Sequence, residues 1–381
     1  MKILHTSDWH VGKVLKGQSR LEEHIAVLAE IVGVAEAERP DLVIVAGDLF
    51  DTAAPTPETK KVVVRALTAL RRHAGAVVVI AGNHDNGAEI DALRPWAEGA
   101  GVTLRGTVGR PEDHLISGVT AGGEAWRLAA LPFVSQRYAV RATEMFELSA
   151  ADAAATYADH TARLIATLTA PFGDGSRAVN LVTAHLTVLG GTLGGGERGA
   201  HPIDAYAVPA SVFPASAHYV ALGHLHRRQQ VAGGAPVHYC GAPIAVDFGE
   251  QDNTPSVSIV EVTASTAARV RDVPVTAAVP LRTVRGTLAE LSAVKPDERA
   301  WLRVYVRETP RAGLREEVQA LLPRALEVRI DPQLLPRLEP TTTTRTGHSP
   351  RELFGEYLTA KGVDDEPVVE LFNRLYEEVT S

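Results

Sequence analysis

Polar side chains that could bind metal ions or move protons follow several apolar, strand-like runs in this sequence. The first three runs begin at Ile3, Leu42 and Val77, and two more lie later in the chain. The groups at or just beyond the ends of the five runs are Asp8, His10, Asp48, Asn83, His84, His185, His224 and His226. Because ligands gather beyond the carboxyl ends of strands in an open α/β sheet, we expect these groups to converge there.

The chemistry of this set favours divalent metal ions. Carboxylate, carboxamide and imidazole ligands without thiolate suit ions such as Mn²⁺, Fe²⁺ or Zn²⁺. Two ions that share a carboxylate can stabilise the attacking and leaving oxygens at phosphorus, and Asp48, on the middle strand, is the expected bridge. Taken singly, a histidine at a strand end is more often a hydrogen-bonded structural residue, and Asp48 or Asn83 could serve a turn. The convergence of the set favours a metal site.

Composition limits the class of protein. The chain has 381 residues, of which 45% are hydrophobic and 22% charged, enough for one large globular domain and one or two small ones. The single cysteine, Cys240, excludes an intramolecular disulfide. With neither a signal-like N-terminus nor an apolar run of membrane-spanning length, a cytoplasmic location off the membrane is expected. The net charge of −8 does not exclude nucleic acid, because bound metal ions would neutralise many carboxylates.

Alternation of apolar runs with amphipathic segments predicts strands and helices in βαβ order, and therefore a parallel α/β sheet. A helix from about Arg20 would bury the face carrying Leu21, Ile25, Leu28 and Val32. Later runs, including the segment from Pro236 to Glu250 and the strand from Val257 to Val262, are interpreted as a second sheet that packs on the first.

A glycine-rich run, G-G-T-L-G-G-G-E-R-G, follows His185. It lacks the Gly-Lys-Ser/Thr ending of a phosphate-binding P-loop, so a mobile loop over the site is favoured.

The C-terminal third differs in texture, with prolines and alanines from Pro274 to Pro280. A small α+β domain follows, and then a polar linker and two amphipathic helices whose apolar faces imply a docking surface. The predicted divisions are a catalytic domain at 1–272, a small domain at 280–335, a linker at 336–348 and the helices at 349–381.

Five ordered motifs resemble those of calcineurin-like metallophosphoesterases. They are Asp8-x-His10, Gly47-Asp48-x-x-Asp51, Gly82-Asn83-His84-Asp85, His185 after a strand, and Gly223-His224-x-His226. The resemblance implies a β-sandwich flanked by helices and a centre with two metal ions. It implies that one ion is held by Asp8, His10, Asp48 and His226, and the other by Asp48, Asn83, His185 and His224.

The same resemblance implies that His84 is catalytic and not a ligand. It would lie beside the leaving group, where it can stabilise the phosphorane or protonate the departing oxygen, and Asp85 can orient its ring. The sequence leaves two roles open for Asp51: contacting a residue of the site, or forming a turn.

Within this superfamily the sequence is most similar to the SbcD family of bacterial nuclease subunits. Protein serine/threonine phosphatases are disfavoured, because Phe50-Asp51-Thr52 and Asp85 stand where they carry Asp-Arg-Gly and Glu. The similarity to the SbcD family runs nearly end to end. It is carried by H-T-S-D-W-H-V-G-K, A-G-D-L-F-D, A-G-N-H-D, A-L-G-H-L-H and Y-C-G-A-P, and by Leu353-Phe354-x-x-Tyr357-Leu358 near the C-terminus.

This likeness implies a Mn²⁺-dependent DNA nuclease, with double-strand exonuclease and single-strand or hairpin endonuclease activity. It also implies a homodimer that binds an SMC-like ATPase, SbcC, through the C-terminal helices. The resulting heterotetramer would act in DNA repair, recombination and replication, associated with the nucleoid when on DNA. The small domain would cap the site and contact DNA.

Two other functions are left open by the residues alone. One is a phosphodiesterase for cyclic nucleotides or other small molecules, although such enzymes usually end near the catalytic sheet. The other is a non-catalytic scaffold stabilised by metal. Evidence for DNA rests on cations that could neutralise phosphates, each of which is more commonly a solvated surface residue. These cations are Lys13, Lys16, Arg227, Arg228, Arg303, Arg307, Arg311 and Arg315.

Overall fold

The structure is a computed structural model, and it describes residues 1–135, 150–173, 175, 177–197, 207–294, 299–334, 350–360 and 368–373. The chain divides into two compact units, residues 1–334 and 335–381, which are described separately.

The first unit contains a mixed sheet of six strands. Their spatial order is Thr266–Pro274, Ser256–Thr263, Lys2–Thr6, Leu42–Ala46, Ala76–Ile80 and Val102–Arg105. The last four are parallel, and every residue of Leu42–Ala46 is buried. Continuous burial explains the apolar runs, because helices or a second sheet cover both faces of these strands.

A second mixed sheet, also of six strands, packs against the first. Its order is Gln229–Val231, Val237–Tyr239, Tyr219–Gly223, Val179–His185, Ala125–Leu131 and Leu115–Val119. Ile44 and Ile80 of the first sheet share a buried core with Leu128 and Leu181 of the second. This arrangement confirms the predicted β-sandwich.

One strand lies in a different sheet from the one predicted. The run from Val257 to Val262 forms the strand Ser256–Thr263, which pairs antiparallel with Lys2–Thr6 in the first sheet. Its apolar residues predict a strand but cannot select its partner, since either sheet would bury them.

Helices cover the outer faces of both sheets. Leu21–Glu38, Pro57–His73, Gly87–Ala92 and Arg94–Gly99 lie on the first sheet, and Pro111–His114 and Ala150–Thr169 on the second. The buried face of the first helix carries Val27, Leu28 and Ile31, whereas Ile25 is 42% exposed, so its predicted apolar face is displaced. Thr56 caps the second helix, whose first residue is Pro57.

A smaller sheet follows along the chain. Its parallel strands are Leu281–Gly286, Trp301–Val306 and Ala325–Ile330, with the helices Leu288–Ser292 and Leu314–Leu321. Leu302, Val304 and Val318 form part of a separate hydrophobic core on one face of this sheet.

The described residues of the first unit also form short elements. They are the strands Val14–Leu15, Gln18–Ser19, Thr187–Val188 and Ala207–Val208, and the 3₁₀ turns Ala170–Gly173, Ala210–Val212, Phe248–Glu250 and Pro332–Leu334.

In the second unit, the helix Pro350–Ala360 and the helical residues 368–373 are described, and the rings of Phe354 and Phe372 stack 4.0 Å apart. The predicted linker at 336–348 lies outside the described residues. None of the helices in the described ranges is both long and apolar enough to cross a bilayer.

Candidate metal centre

The predicted site residues meet at one end of the sandwich. Asp8, Asp48 and Asn83 follow three neighbouring strands of the first sheet, while His185 ends a strand of the second and His224 follows the next. Asp8, His10, Asp48 and His185 are at most 1% exposed, and His226 is 5% exposed. Two sheets therefore contribute to one buried polar cluster.

On one side of the cluster, Asp8, His10 and His226 face one another. Single ligand atoms of these three residues all lie within 4.8 Å of one another. The Nε2 atoms of His10 and His226 are 3.1 Å apart, and His10 Nε2 lies 3.7 Å from Asp48 Oδ2. This grouping corresponds to one of the two predicted ligand sets.

The other side is centred on Asn83. Its Oδ1 lies 2.9 Å from both His185 Nε2 and His224 Nδ1. His185 Nε2 is also 3.4 Å from Asp48 Oδ2. Asp48 thus lies between the two groupings, where a bridging carboxylate would be required.

The donor set fits bound cations. The Nδ1 atom of His226 is hydrogen-bonded to the Glu250 carboxylate, which can only accept, so Nδ1 carries the hydrogen in the neutral ring. The lone pair is then on Nε2, which faces the Nε2 atom of His10. Two ring nitrogens at this distance need a shared proton or a cation between them, and the neighbouring carboxylates favour positive charge.

Charge in the centre is distributed unevenly among the rings. Burial lowers the pKa of His185, but the Asp48 carboxylate outweighs burial and raises this pKa to about 9. Burial is likewise outweighed at His226, where the Glu250 carboxylate raises the pKa to about 10. Burial keeps the pKa of His10 and of His224 low, at about 3. Of the four histidines predicted as ligands, His185 and His226 therefore favour the positively charged form, and His10 and His224 favour the neutral form.

Backbone conformation at the cluster is unusual. Asp8, His10, Asp48 and His224 are non-glycine residues with φ values of 54°, 46°, 51° and 97°. L-residues rarely adopt positive φ, and each such position costs of order 1–3 kcal/mol. The left-handed residues turn the chain immediately after the strands and direct polar side chains inward.

His84 lies at the margin of the cluster and is 8% exposed. Its backbone N–H donates to Asp48 Oδ1 over 2.8 Å, and its ring Nδ1 lies 2.9 Å from the carbonyl oxygen of Asp51. The ring meets that of His10 edge to face, with centroids 4.6 Å apart. A nitrogen of His84 also lies within 4.8 Å of ligand atoms of His10 and Asp48, so proximity alone does not separate it from the ligands.

The expectation that Asp85 orients the His84 ring is corrected by the structure. The Asp85 carboxylate accepts hydrogen bonds from the backbone N–H groups of Gly82, Leu49 and Phe50, over 2.8 to 3.2 Å. It therefore joins the second and third loops of the site. The acceptor at the ring is the carbonyl of Asp51, because the turn after Asp48 carries that carbonyl to His84.

Asp51 serves the site in more than one way. Its carboxylate Oδ1 lies 3.2 Å from Lys13 Nζ and 3.6 Å from His10 Nδ1. Burial would raise the pKa of this carboxyl group, but His10 and Lys13 outweigh burial and hold it well below its usual range. Asp51 is thus a partner of a predicted ligand.

Comparison with known proteins decides the family. A relative from Bacillus subtilis, the SbcD component of the nuclease SbcCD, is 33% identical over 327 residues, which cover 83% of this chain and 81% of that protein. The Escherichia coli protein of the same name is 30% identical over 80% of this chain and 78% of its own length. That of Rhodobacter capsulatus is 33% identical over 71% and 68%. The chain belongs to the SbcD family.

Family models agree with this assignment. The calcineurin-like phosphoesterase family matches residues 1–123, and the family described as type 5 capsule protein repressor C-terminal domain matches residues 277–362. This chain therefore carries a phosphoesterase domain and is a phosphodiesterase hydrolase. A crystal structure of a dimetal phosphatase from Danio rerio has a TM-score of 0.42 and 14% identity, over 72% of this chain and 98% of that one.

Two carboxylates of this SbcD-family chain were missed by the sequence reasoning. Glu250, which is 1% exposed, is hydrogen-bonded to the ring of His226, and Glu197 accepts the backbone N–H of the same histidine over 3.0 Å. Neither residue belongs to one of the five motifs. Their roles arise from contacts between distant segments, so the sequence carries no local signal for them.

Proposed function

We propose that this chain is a Mn²⁺-dependent DNA nuclease, active as a double-strand exonuclease and as a single-strand or hairpin endonuclease. The observation that carries the proposal is the meeting of two ligand groups at Asp48, in a member of a family whose named relatives are nuclease components. Hydrolysis of phosphodiesters is the chemistry for which such paired sites are suited.

The ligand sets follow the two sides of the cluster. Asp8, His10, Asp48 and His226 would hold one ion, and Asp48, Asn83, His185 and His224 the other. Two bound divalent ions supply Lewis-acid stabilisation of the phosphoryl oxygens and lower the pKa of water. The protein contributes fixed geometry, because the ligands are buried and lie at the ends of rigid strands.

His84 would act as the proton donor to the departing oxygen. The Asp51 carbonyl can only accept a hydrogen bond, so ring Nδ1 carries a hydrogen. The other nitrogen, Nε2, is then the atom that exchanges a proton with the substrate. General acid catalysis of this kind contributes about 10²- to 10⁴-fold to a rate. Asp85 supports this step at a distance by joining the loops.

The small sheet offers a surface for DNA near the centre. The guanidinium of Arg303 lies 5.1 Å from the ring centroid of Phe248, and that of Arg285 lies 4.3 Å from the ring of Tyr305. Phe248 begins the turn that ends at Glu250, the partner of His226. Arginines supported on aromatic rings can contact phosphates while remaining ordered.

Several of the other predicted cations already have carboxylate partners. Lys13 pairs with Asp51, Lys16 with Glu327, Arg228 with Asp272, Arg307 with Asp331 and Arg311 with Glu317. Arg285, which the sequence analysis did not single out, also lies 3.7 Å from Asp331 Oδ1. We therefore assign the leading role in contacting DNA to Arg303.

The named relatives are components of SbcCD, and we extend that assembly to this chain. The C-terminal helices at 349–381 would bind the SbcC ATPase, after a linker at 336–348. Each chain would carry a catalytic domain at 1–272 and a capping domain at 280–335. Two such chains would form a homodimer, which would join SbcC in a heterotetramer. DNA repair, recombination and replication in the cytoplasm, at the nucleoid, is the corresponding role.

The direct test uses a DNA duplex labelled at its ends. The purified chain with Mn²⁺ is expected to release labelled nucleotides, and chelation with EDTA should stop the release. Cyclic nucleotides are offered in parallel reactions under the same conditions. If cyclic nucleotides are hydrolysed while the DNA stays intact, the chain is a small-molecule phosphodiesterase and the proposal is wrong. If neither substrate is hydrolysed, the chain is a non-catalytic scaffold.

A further inference from the structure

The glycine-rich run after His185, of which the structure describes residues 190–197, is bound closely to its surroundings from Gly194 to Glu197. Backbone N–H groups of Gly194 and Gly195 donate to the two carboxylate oxygens of Glu197, over 2.6 and 2.7 Å. The Asn253 side chain donates to the Gly194 carbonyl over 3.1 Å. Glu197 thus closes a turn within its own segment, and the turn is bound to a neighbouring loop.

Three glycines in this turn allow an unusually close approach. A Cβ atom at Gly196 would overlap Glu250 Oε1, and one at Gly194 would lie 2.8 Å from the Cβ of His226. Gly195 has a φ of 106°, and a Cβ there would lie 2.6 Å from the carbonyl oxygen of Gly249. Any side chain at these positions would push the turn away from His226 and Glu250.

Two carboxylates meet His226 beneath this turn. Glu197 Oε1 accepts the backbone N–H of His226 over 3.0 Å, while Glu250 is hydrogen-bonded to its ring Nδ1. The second oxygen of Glu250 accepts the backbone N–H of Val246 over 2.7 Å. Backbone and ring of one histidine are therefore fixed by separate acceptors, and each oxygen of Glu250 accepts one donor.

We infer that residues 194–197 and Glu250 form a positioning device for His226, which holds its ring so that Nε2 faces Asp8 and His10. A carboxylate on Nδ1 fixes the tautomer and the ring plane of a metal-binding histidine, and loss of such a partner typically costs 10- to 100-fold in affinity. The inference rests on the proposed ligand role of His226. It assigns the glycine-rich segment to one metal ion of the two and not to phosphate binding.

The first variant is Glu250→Gln. A glutamine amide has one oxygen, so it can satisfy either Val246 N–H or His226 Nδ1–H and presents an NH₂ group to the other. Titration calorimetry with Mn²⁺ alone is expected to show about a 10- to 100-fold weaker affinity at one site and an unchanged second site. Glu38→Gln is the matched control, because Glu38 bonds Lys2 and Arg271 at the opposite end of the first strand.

The second variant, Gly196→Ala, disturbs the contact between His226 and Glu250 through the glycine-rich turn. Its methyl group would overlap the Glu250 carboxylate, so it should reproduce the loss at one site. Gly173→Ala is its control, since a Cβ at Gly173 meets no atom within 4 Å. Thermal unfolding of the metal-free variants should remain cooperative, with midpoints below that of the wild type, because Gly196→Ala overpacks its site and Glu250→Gln leaves one donor without an acceptor.

Equal affinity of both variants and wild type at both sites would overturn the inference. So would equal weakening of the two sites, because the turn would then support the whole fold. These measurements use no DNA. If the wild type bound two ions but released no nucleotides, the proposed function would fail and the positioning role would stand.

Discussion

At two histidines of the candidate metal centre, one ring nitrogen is hydrogen-bonded to a backbone carbonyl, and the other ring nitrogen faces the centre. His185 Nδ1 lies 2.8 Å from the carbonyl of Ala46, and His84 Nδ1 lies 2.9 Å from the carbonyl of Asp51. Because a carbonyl only accepts, each partner fixes a tautomer with the hydrogen on Nδ1. The protein thereby sets which nitrogen can bind an ion or transfer a proton.

The first prediction at this scale separates catalysis from metal binding. His84→Ala should lower the rate of DNA cleavage by about 10²- to 10⁴-fold, because the proposed proton donor is lost. Titration calorimetry should still show two bound Mn²⁺ ions per chain. His185→Ala is the contrasting variant and should weaken ion binding as well. Loss of both ions from His84→Ala would instead make His84 a ligand.

The second prediction concerns pH. In the metal-free protein the pKa of His185 is raised to about 9 and that of His226 to about 10, so both rings are protonated at neutral pH. An incoming ion must displace these protons, and its apparent affinity should rise with pH until about pH 9 to 10. Calorimetry in buffers of different ionisation enthalpy counts the protons released. An affinity that is constant between about pH 6.5 and about 8.5 would contradict the prediction.

At the scale of elements, the strand ends determine where the ligands lie, and glycines permit the close approach of successive loops. A Cβ at Gly82 would overlap both the side chain and the backbone nitrogen of Asp48, and one at Gly223 would overlap the Ala46 carbonyl. Loops from both sheets therefore meet at van der Waals distance only because these positions lack side chains.

We expect Gly82→Ala to displace Asp48 and to weaken both metal sites, since Asp48 lies between them. The free energy of unfolding should fall by about 1–3 kcal/mol, as is typical for an overpacked position. Gly99→Ala is the matched control, because a Cβ there meets nothing within 4 Å, and it should leave both quantities unchanged. Calorimetry and urea unfolding give the two quantities. A Gly82→Ala protein with normal affinity at both sites would contradict the role of the close approach.

Much of this arrangement could be predicted from local sequence, and the remainder could not. The apolar runs at Leu42–Ala46 and Ala76–Ile80 specify buried strands, and the polar residues after them specify a shared edge. The partner of Ser256–Thr263 depends on pairing with the first strand, across most of the chain. The support of His226 by Glu250 depends on tertiary contact in the same way. Patterns with a period of two or 3.6 residues carry no information about either.

At the scale of the whole first unit, the small sheet is joined to the sandwich through Glu23, which also forms a partly buried ion pair with Arg20. Glu23 Oε2 accepts a hydrogen bond from Arg20 over 2.6 Å, and Glu23 Oε1 accepts the Trp301 indole N–H over 2.8 Å. Arg20 is fully buried and also donates to the carbonyl of Ala245. The position of the small sheet relative to the metal centre is therefore fixed by specific polar contacts.

The last prediction concerns the second unit. Because residues 1–334 form a compact unit of their own, truncation after Pro340 should spare Mn²⁺-dependent cleavage of single-stranded DNA. It should remove binding to SbcC, since the helix Pro350–Ala360 presents Tyr357, which is 56% exposed. A pull-down with tagged SbcC checks binding, and cleavage by the same preparation shows that the catalytic unit is folded. Retention of the truncated chain by SbcC would place the docking surface elsewhere.

The residues with positive φ after the strands bear on the design of an inactive variant of this protein. Glycine at His224, whose φ is 97°, would relieve backbone strain while deleting a side chain that we propose as a metal ligand. An inactive His224→Gly protein can consequently be more stable than the active wild type. Selection for thermal robustness alone would push the chain toward inactivity.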